Sequence, residues 1–230
     1  MKKYWESFIS LFYPKLCFHC SQPLTSQEEI LCLHCFLKLP KTNYHLDSKN
    51  PLLEKLNILT KLKLTEAFAL LKYNQKGISQ ELIHALKYNG QKHLGISLGK
   101  WIAGTVIQSH KVEYDALLPV PLYAGKKRSR GYNQAEILAL GINEVLNVKI
   151  ENNLIERTKG TISQAKKGRI KRWTDGEGLY KINKVKKMAG KNILIVDDVI
   201  TTGSTVIEIS KLLLENGVSN VSVACIATGK

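Results

Sequence analysis

Two adjacent carboxylates, Asp197 and Asp198, stand between an apolar run and a loop of hydroxyls in ILIVDDVITTGST, residues 193–205. Neighbouring carboxylates can accept hydrogen bonds from a vicinal diol, provided the backbone bends so that both face it. Thr201, Thr202, Gly203, Ser204 and Thr205 supply hydroxyl donors and a backbone free to take positive φ. A helix after that loop would offer free N–H groups and the positive end of its dipole to an anion. Diol acceptors beside a phosphate cradle point to a sugar phosphate. The plainer alternative is a buried strand ending in an acidic turn capped by Ser and Thr.

A second set of residues has metal chemistry. Cys17 and Cys20 in CFHC, and Cys32 and Cys35 in CLHC, are two C-x2-C pairs separated by eleven residues. Thiolates on a tight turn span one edge of a tetrahedron, and two such turns close a zinc site. Disulfides are the alternative, disfavoured in a reducing compartment. His19 and His34 adjoin these cysteines and are expected to point away from the metal, and Cys225, in VSVACIA, reads as a small core residue.

The third set is basic. LLPVPL (117–122) ends in two stiffening prolines, and YAGKKRSRGYNQ (123–134) follows with Lys126, Lys127, Arg128 and Arg130. Crowded at the exit beside Val120, Pro121 and Leu122, those cations could neutralise a pyrophosphate together with Mg²⁺. A prolyl loop next to a solvated basic turn remains the alternative. Asn133 is either part of this site or the N-cap of the next helix. A long polar and basic segment, ERTKGTISQAKKGRIKRW (156–173), reads by composition alone as a surface insert.

These groups need a scaffold, and the apolar pattern supplies one. Strands are expected at 66–73, 114–120, near Leu154 and Ile155, at 191–196 and at 218–227. Helices are expected at 78–90, 92–108, 133–146 and 205–216, with Gly217 just past the end of the last. The alternation implies an α/β fold with an open, mainly parallel sheet and helices on both faces. Ligands in such folds gather beyond the carboxyl ends of strands, where the acids and the proline loop both fall. Residues 1–50 read as a short amphipathic helix (Trp5, Phe8, Ile9, Phe12), a small four-cysteine zinc-binding knuckle and a linker, and 51–230 as the larger domain. The knuckle is too short to bury a core, so metal must supply much of its folding energy. Its apolar residues Leu16, Phe18, Leu33, Phe36, Leu37 and Leu39 are expected to pack onto the larger domain rather than dock a partner.

At 230 residues and 44% hydrophobic content the chain suits a globular protein. No apolar run approaches the roughly 18 residues of a spanning helix, and a cytoplasmic protein is the expectation. The net charge of +15 is uneven: residues 120–191 hold 17 Lys/Arg and 6 Asp/Glu, a local +11, while residues 1–60 hold 7 and 5. A polyphosphate or a nucleic acid would account for that, as would a solvated lysine-rich surface.

Residues 193–205 resemble the phosphoribosyl pyrophosphate (PRPP) signature of type I phosphoribosyltransferases. Taken with PVPL, RGYNQAEILA and the four-cysteine knuckle, the chain resembles the ComF family over nearly its whole length. The resemblance implies a type I phosphoribosyltransferase-like domain behind a structural zinc site. Asp197 and Asp198 would then hold the ribose hydroxyls as the catalytic acids, residues 201–205 the 5′-phosphate, and Val120, Pro121 and Leu122 the pyrophosphate loop with Mg²⁺. Arg130, Arg157, Gln164, Arg169 and Arg172 would form the lid and basic segment, although the chain has Trp173-Thr174 where the family has Asn-Val. The implied activity is that of a pentosyl transferase whose acceptor the sequence does not name. The implied setting is natural transformation, with imported single-stranded DNA and a helicase or other DNA-uptake protein as partners. A PRPP- and nucleic-acid-binding scaffold or sensor without turnover is the competing reading, with Tyr123, Tyr132 and Trp173 as stacking residues.

Overall fold

A strand that is apolar on both faces must be covered on both, and residues 193–196 and 223–227 have no accessible surface. The structure, a computed structural model, describes residues 14–60, 63–88, 90–109, 111–158, 179–183 and 188–229. Its strands are β1 (Ala67–Lys72), β2 (Ala116–Pro119), β3 (Ile155–Arg157), β4 (Tyr180–Ile182), β5 (Asn192–Ile200) and β6 (Asn220–Thr228). Its helices are α1 (Leu33–Leu37), α2 (Pro51–Thr60), α3 (Ile78–Tyr88), α4 (Lys92–Ser109), α5 (Ala124–Arg130), α6 (Gln134–Leu146) and α7 (Ser204–Glu215). Among the described residues no helix is long and apolar enough to cross a membrane.

Four strands pair in parallel in the order β1-β6-β5-β2, while β3 and β4 form a separate antiparallel pair. The period of two along β5 divides the interior. Leu194 and Val196 face a core shared with α3, α4 and α6, and Ile193 and Ile195 face a second core shared with α2 and α7. On the first face α4 and α6 cross so closely that a Cβ on Gly99 would strike the Leu138 carbonyl and one on Gly141 the Ile96 carbonyl. Only glycine allows that approach, and it sets α6 firmly against α4.

The expected elements appear with small boundary shifts, α2 and β4 add to them, and two expectations change. Residues 124–130, expected as a basic loop, are helical. β5 does not stop at Val196: its pairing with β6 continues through Val199↔Ala227 and Ile200↔Thr228, so both acids lie within the strand. Cys225 is a buried β6 residue, as expected.

The knuckle leans on the same core as α3 and α4. Cys17, Ile30, Leu31, Cys32, Cys35 and Leu39 are buried there, and the ring of Phe36 meets Trp101 edge-on at 5.1 Å. Its apolar residues divide: Leu39, Phe18 and Phe36 pack inward, whereas Leu16, Leu33 and Leu37 stay exposed, against the expectation that all six would pack. The linker then closes the β1 edge, with Thr42 N–H donating to Leu70 O (3.0 Å) and Lys72 N–H to Pro40 O (2.8 Å). The N-terminal helix expected from Trp5, Phe8, Ile9 and Phe12 lies outside the described residues.

Candidate functional site

The carboxyl ends of β5 and β2 open onto a cleft of about 180 Å³. β5 brings Asp197 and Asp198 to it, and the start of α7 brings Thr205. The chain after β2 brings Val120, Pro121 and Leu122, α5 brings Arg130, and the β3–β4 pair brings Arg157 and Tyr180. Residues far apart in sequence are thus gathered at the edge where ligands of open α/β sheets bind.

The two acids are held locally. Asp197 Oδ1 accepts from the Asp198 N–H at 2.8 Å, and Asp198 Oδ1 from the Val199 N–H at 2.7 Å. Burial, then the charge of Asp198, push the Asp197 carboxyl up to about 8, against the Asp198 N–H and the Lys87 ammonium. A proton or a cation would offset the charge that burial and Asp198 disfavour on Asp197. Hard oxygen donors in this pairing suit Mg²⁺, which binds through one or two carboxylates together with phosphate oxygens.

Beyond Ile200 the chain turns into α7. Gly203 takes φ +80° and its carbonyl accepts from the Ile207 N–H at 2.8 Å, so it stands at the helix start. The Thr202 hydroxyl donates to Ser204 Oγ at 3.3 Å, and the Ser204 N–H reaches back to Thr202 Oγ1 at 3.4 Å. Thr201 and Thr202 are exposed on this turn, and Lys55 Nζ of α2 donates to the Thr201 carbonyl at 2.9 Å. A turn of hydroxyls at the N-terminus of a twelve-residue helix is chemically suited to a phosphate.

Asn133 caps α6 and also lines the cleft. Its Oδ1 caps α6 by accepting from the Ala135 N–H (3.1 Å), and its amide donates to the Val120 carbonyl (3.0 Å), tying the proline loop to the helix. Arg130 Nη1 donates to Gln134 Oε1 at 3.0 Å, which leaves Gln134 Nε2 buried with no partner among the described residues. Of the basic segment, Arg157 stands in the cleft, while Gln164, Arg169 and Arg172 lie outside the described residues, as do Thr161 and Trp173. Lys87, Tyr180 and Lys55 are site residues that the motifs did not single out. Lys87 did carry a signal: it sits four residues after buried Ile83 and one after buried Leu86, an ammonium bordering the apolar stripe of α3.

The knuckle is the second site. The four sulfurs of Cys17, Cys20, Cys32 and Cys35 lie within 4.8 Å of one another, with Cys20 and Cys32 3.6 Å apart. A tetrahedron of Zn–S bonds near 2.3 Å requires sulfurs about 3.8 Å apart, so the set fits zinc. Burial raises the Cys17 thiol, but N–H groups of Cys20, Cys32 and His19 outweigh it and bring the thiol down to about 6. Burial and the neighbouring sulfurs push Cys35 up to about 12. Four thiolates can coexist here only with a cation among them. His19 turns away, its Nδ1 2.7 Å from Glu81 Oε2 on α3.

The phosphoribosyl transferase domain family matches residues 130–230. The DNA utilization protein YhgH of Shigella flexneri is 27% identical over 234 residues, covering 94% of this chain and 98% of that protein. Competence protein F of Haemophilus influenzae is 33% identical over 147 residues, 62% of this chain and 64% of that one. Competence protein ComFC of Bacillus subtilis is 27% identical over 145 residues, 63% and 57% of the two chains. Among solved structures, the glutamine PRPP amidotransferase of B. subtilis superposes with a TM-score of 0.45 at 19% identity, over 62% of this chain and 30% of that one.

Proposed function

We propose that this chain, a homologue of competence proteins F and ComFC and of DNA utilization protein YhgH that carries a phosphoribosyl transferase domain, binds PRPP with Mg²⁺ and handles imported single-stranded DNA in the cytoplasm. The observation that carries the reading is the convergence of the acid pair, Thr205, the proline loop and two arginines on one cleft. In this reading Asp197 and Asp198 accept hydrogen bonds from the ribose diol. The 201–205 turn cradles the 5′-phosphate with hydroxyls and helix N–H groups. Val120–Leu122 line the diphosphate side, with Arg130 as the nearby cation. Mg²⁺ would be held by the acid pair and would offset charge on the diphosphate.

With the ribose fixed between the acids and the phosphate turn, departure of diphosphate from C1 leaves positive charge on the sugar. The acid pair stabilises that charge, and no protein nucleophile is required. We therefore read the domain as a phosphoribosyltransferase whose acceptor is open. Mass spectrometry of PRPP incubated with protein, single-stranded DNA and candidate bases tests turnover: a ribosylated product supports a transferase, and intact PRPP throughout supports a binding protein.

The second reading is that scaffold or sensor, favoured by the exposed Tyr123 and by α5, which follows it and exposes Arg128. Filter binding of single-stranded DNA across graded salt tests it. A steep fall of affinity with salt supports several phosphate contacts, and no binding at low salt removes a direct DNA role.

A further inference from the structure

Lys87 ends the α3 stripe and enters the cleft, where its Nζ lies 3.1 Å from Asp198 Oδ2. The pair is largely withdrawn from water, with side-chain exposures of 23% for the lysine and 17% for the acid. Contacts on both sides fix its position. The Tyr132 hydroxyl donates to the Leu86 carbonyl, and the Arg130 guanidinium lies 5.4 Å over the Tyr88 ring. The last turn of α3 is thereby fastened to the chain between α5 and α6.

The other cations of the cleft are engaged elsewhere. Arg130 is held by Gln134 and Tyr88, and Arg157 lies 5.7 Å over the Tyr180 ring. Among the described residues, Lys87 is the cation in contact with the acid pair. The pair also faces an electrostatic problem, since carboxylate charge repels the polyphosphorylated sugar it would have to hold.

We propose that Lys87 is a positioning residue of the ribose subsite: it cancels one charge of the acid pair and holds the Asp198 carboxylate aimed into the cleft for the diol. The assignment rests on reading the cleft as a PRPP site. It places the effect of Lys87 at the sugar and not at the diphosphate, and this makes ribose 5-phosphate, which lacks the diphosphate, the deciding probe.

The test is calorimetry of the full, zinc-loaded chain with PRPP·Mg²⁺ and with ribose 5-phosphate, on wild type, Lys87→Met and Lys87→Arg. The methionine keeps the stem and removes the charge. It is expected to weaken both ligands by about 10- to 100-fold, the range for losing a hydrogen bond to a charged group. Arginine is expected to restore both to within about threefold of wild type, and in an Asp198→Asn background Lys87→Met should cost no more than about threefold further. Wild-type affinity in Lys87→Met overturns the assignment. So does loss of PRPP affinity alone, which would put the ammonium on the diphosphate, or a failure of arginine to rescue. A wild type that binds neither ligand overturns the PRPP reading itself, and the role of Lys87 with it.

Discussion

The knuckle and the cleft both crowd negative groups into a small volume, and they meet the cost differently. In the knuckle, four sulfurs within 4.8 Å are contacted by one another and by backbone N–H groups. In the cleft, Asp198 is met by the ammonium of Lys87, with Arg130 and Arg157 on the same walls. A site that relies on metal for its counter-charge cannot hold its shape without the metal. A site furnished with its own cations can stand ready, and exchange its metal along with a ligand. On the proposed reading the knuckle takes a structural ion and the cleft a ligand-borne one.

The largest expected effect tests that contrast. A strong zinc chelator should lower the unfolding midpoint by more than about 10 °C, because structural zinc binding is folding free energy and the knuckle shares its core with α3 and α4. Withholding Mg²⁺ alone should leave the midpoint unchanged. Equal sensitivity to both metals, read by scanning calorimetry, would break the comparison.

Next in size is Gly203→Ala. Its φ of +80° disfavours any side chain, and the new Cβ would lie 2.6 Å from Leu56 Cδ2. We expect a loss of about 1–3 kcal/mol in urea unfolding, with phosphate-ester binding weakened as well. Asn133→Ala should cost about 1 kcal/mol for the lost cap, and it frees the Val120 carbonyl, so the diphosphate side should loosen while the knuckle is untouched. Unchanged PRPP affinity in that variant would separate α6 capping from loop placement.

The smallest effect is a slope with pH. The Asp197 carboxyl is pushed up to about 8 by burial and then by Asp198, against an unfolded value of about 3.9. Between those values the folded chain holds the extra proton. Its contribution to stability is therefore full below about pH 4 and is lost as pH rises toward 8. Lys87 and the open side of the cleft moderate it. Midpoints of ligand-free protein between pH 6 and 8 should fall for wild type and stay flatter for Asp197→Asn; parallel slopes would show that the acid pair is not the source.

What could be read from the sequence follows the distance between interacting residues. The cysteines announce their site because each pair of ligands is three residues apart. β5 and β6 are evident because strands buried on both faces need unbroken apolar runs, and α6 because its apolar period is intact. α5 has no such stripe: AGKKRSR reads as a loop, and the helix shows only once the chain is placed after β2. Carboxylates argue against a strand interior, yet pairing with β6 carries β5 past Asp197 and Asp198. Lys87 acts across 111 positions on Asp198, and no local pattern encodes that pair. The motif residues Asp197, Asp198, Thr205, Val120, Pro121, Leu122, Arg130 and Arg157 all reach the cleft.

The central claim is that the acid pair holds the ribose of PRPP. Calorimetric titration of PRPP into wild type and Asp197→Ala/Asp198→Ala, with and without Mg²⁺, tests it most directly. Wild type is expected to bind with micromolar-range, Mg²⁺-dependent affinity, and the double variant to lose at least about 100-fold. Equal titrations for the two proteins would contradict it.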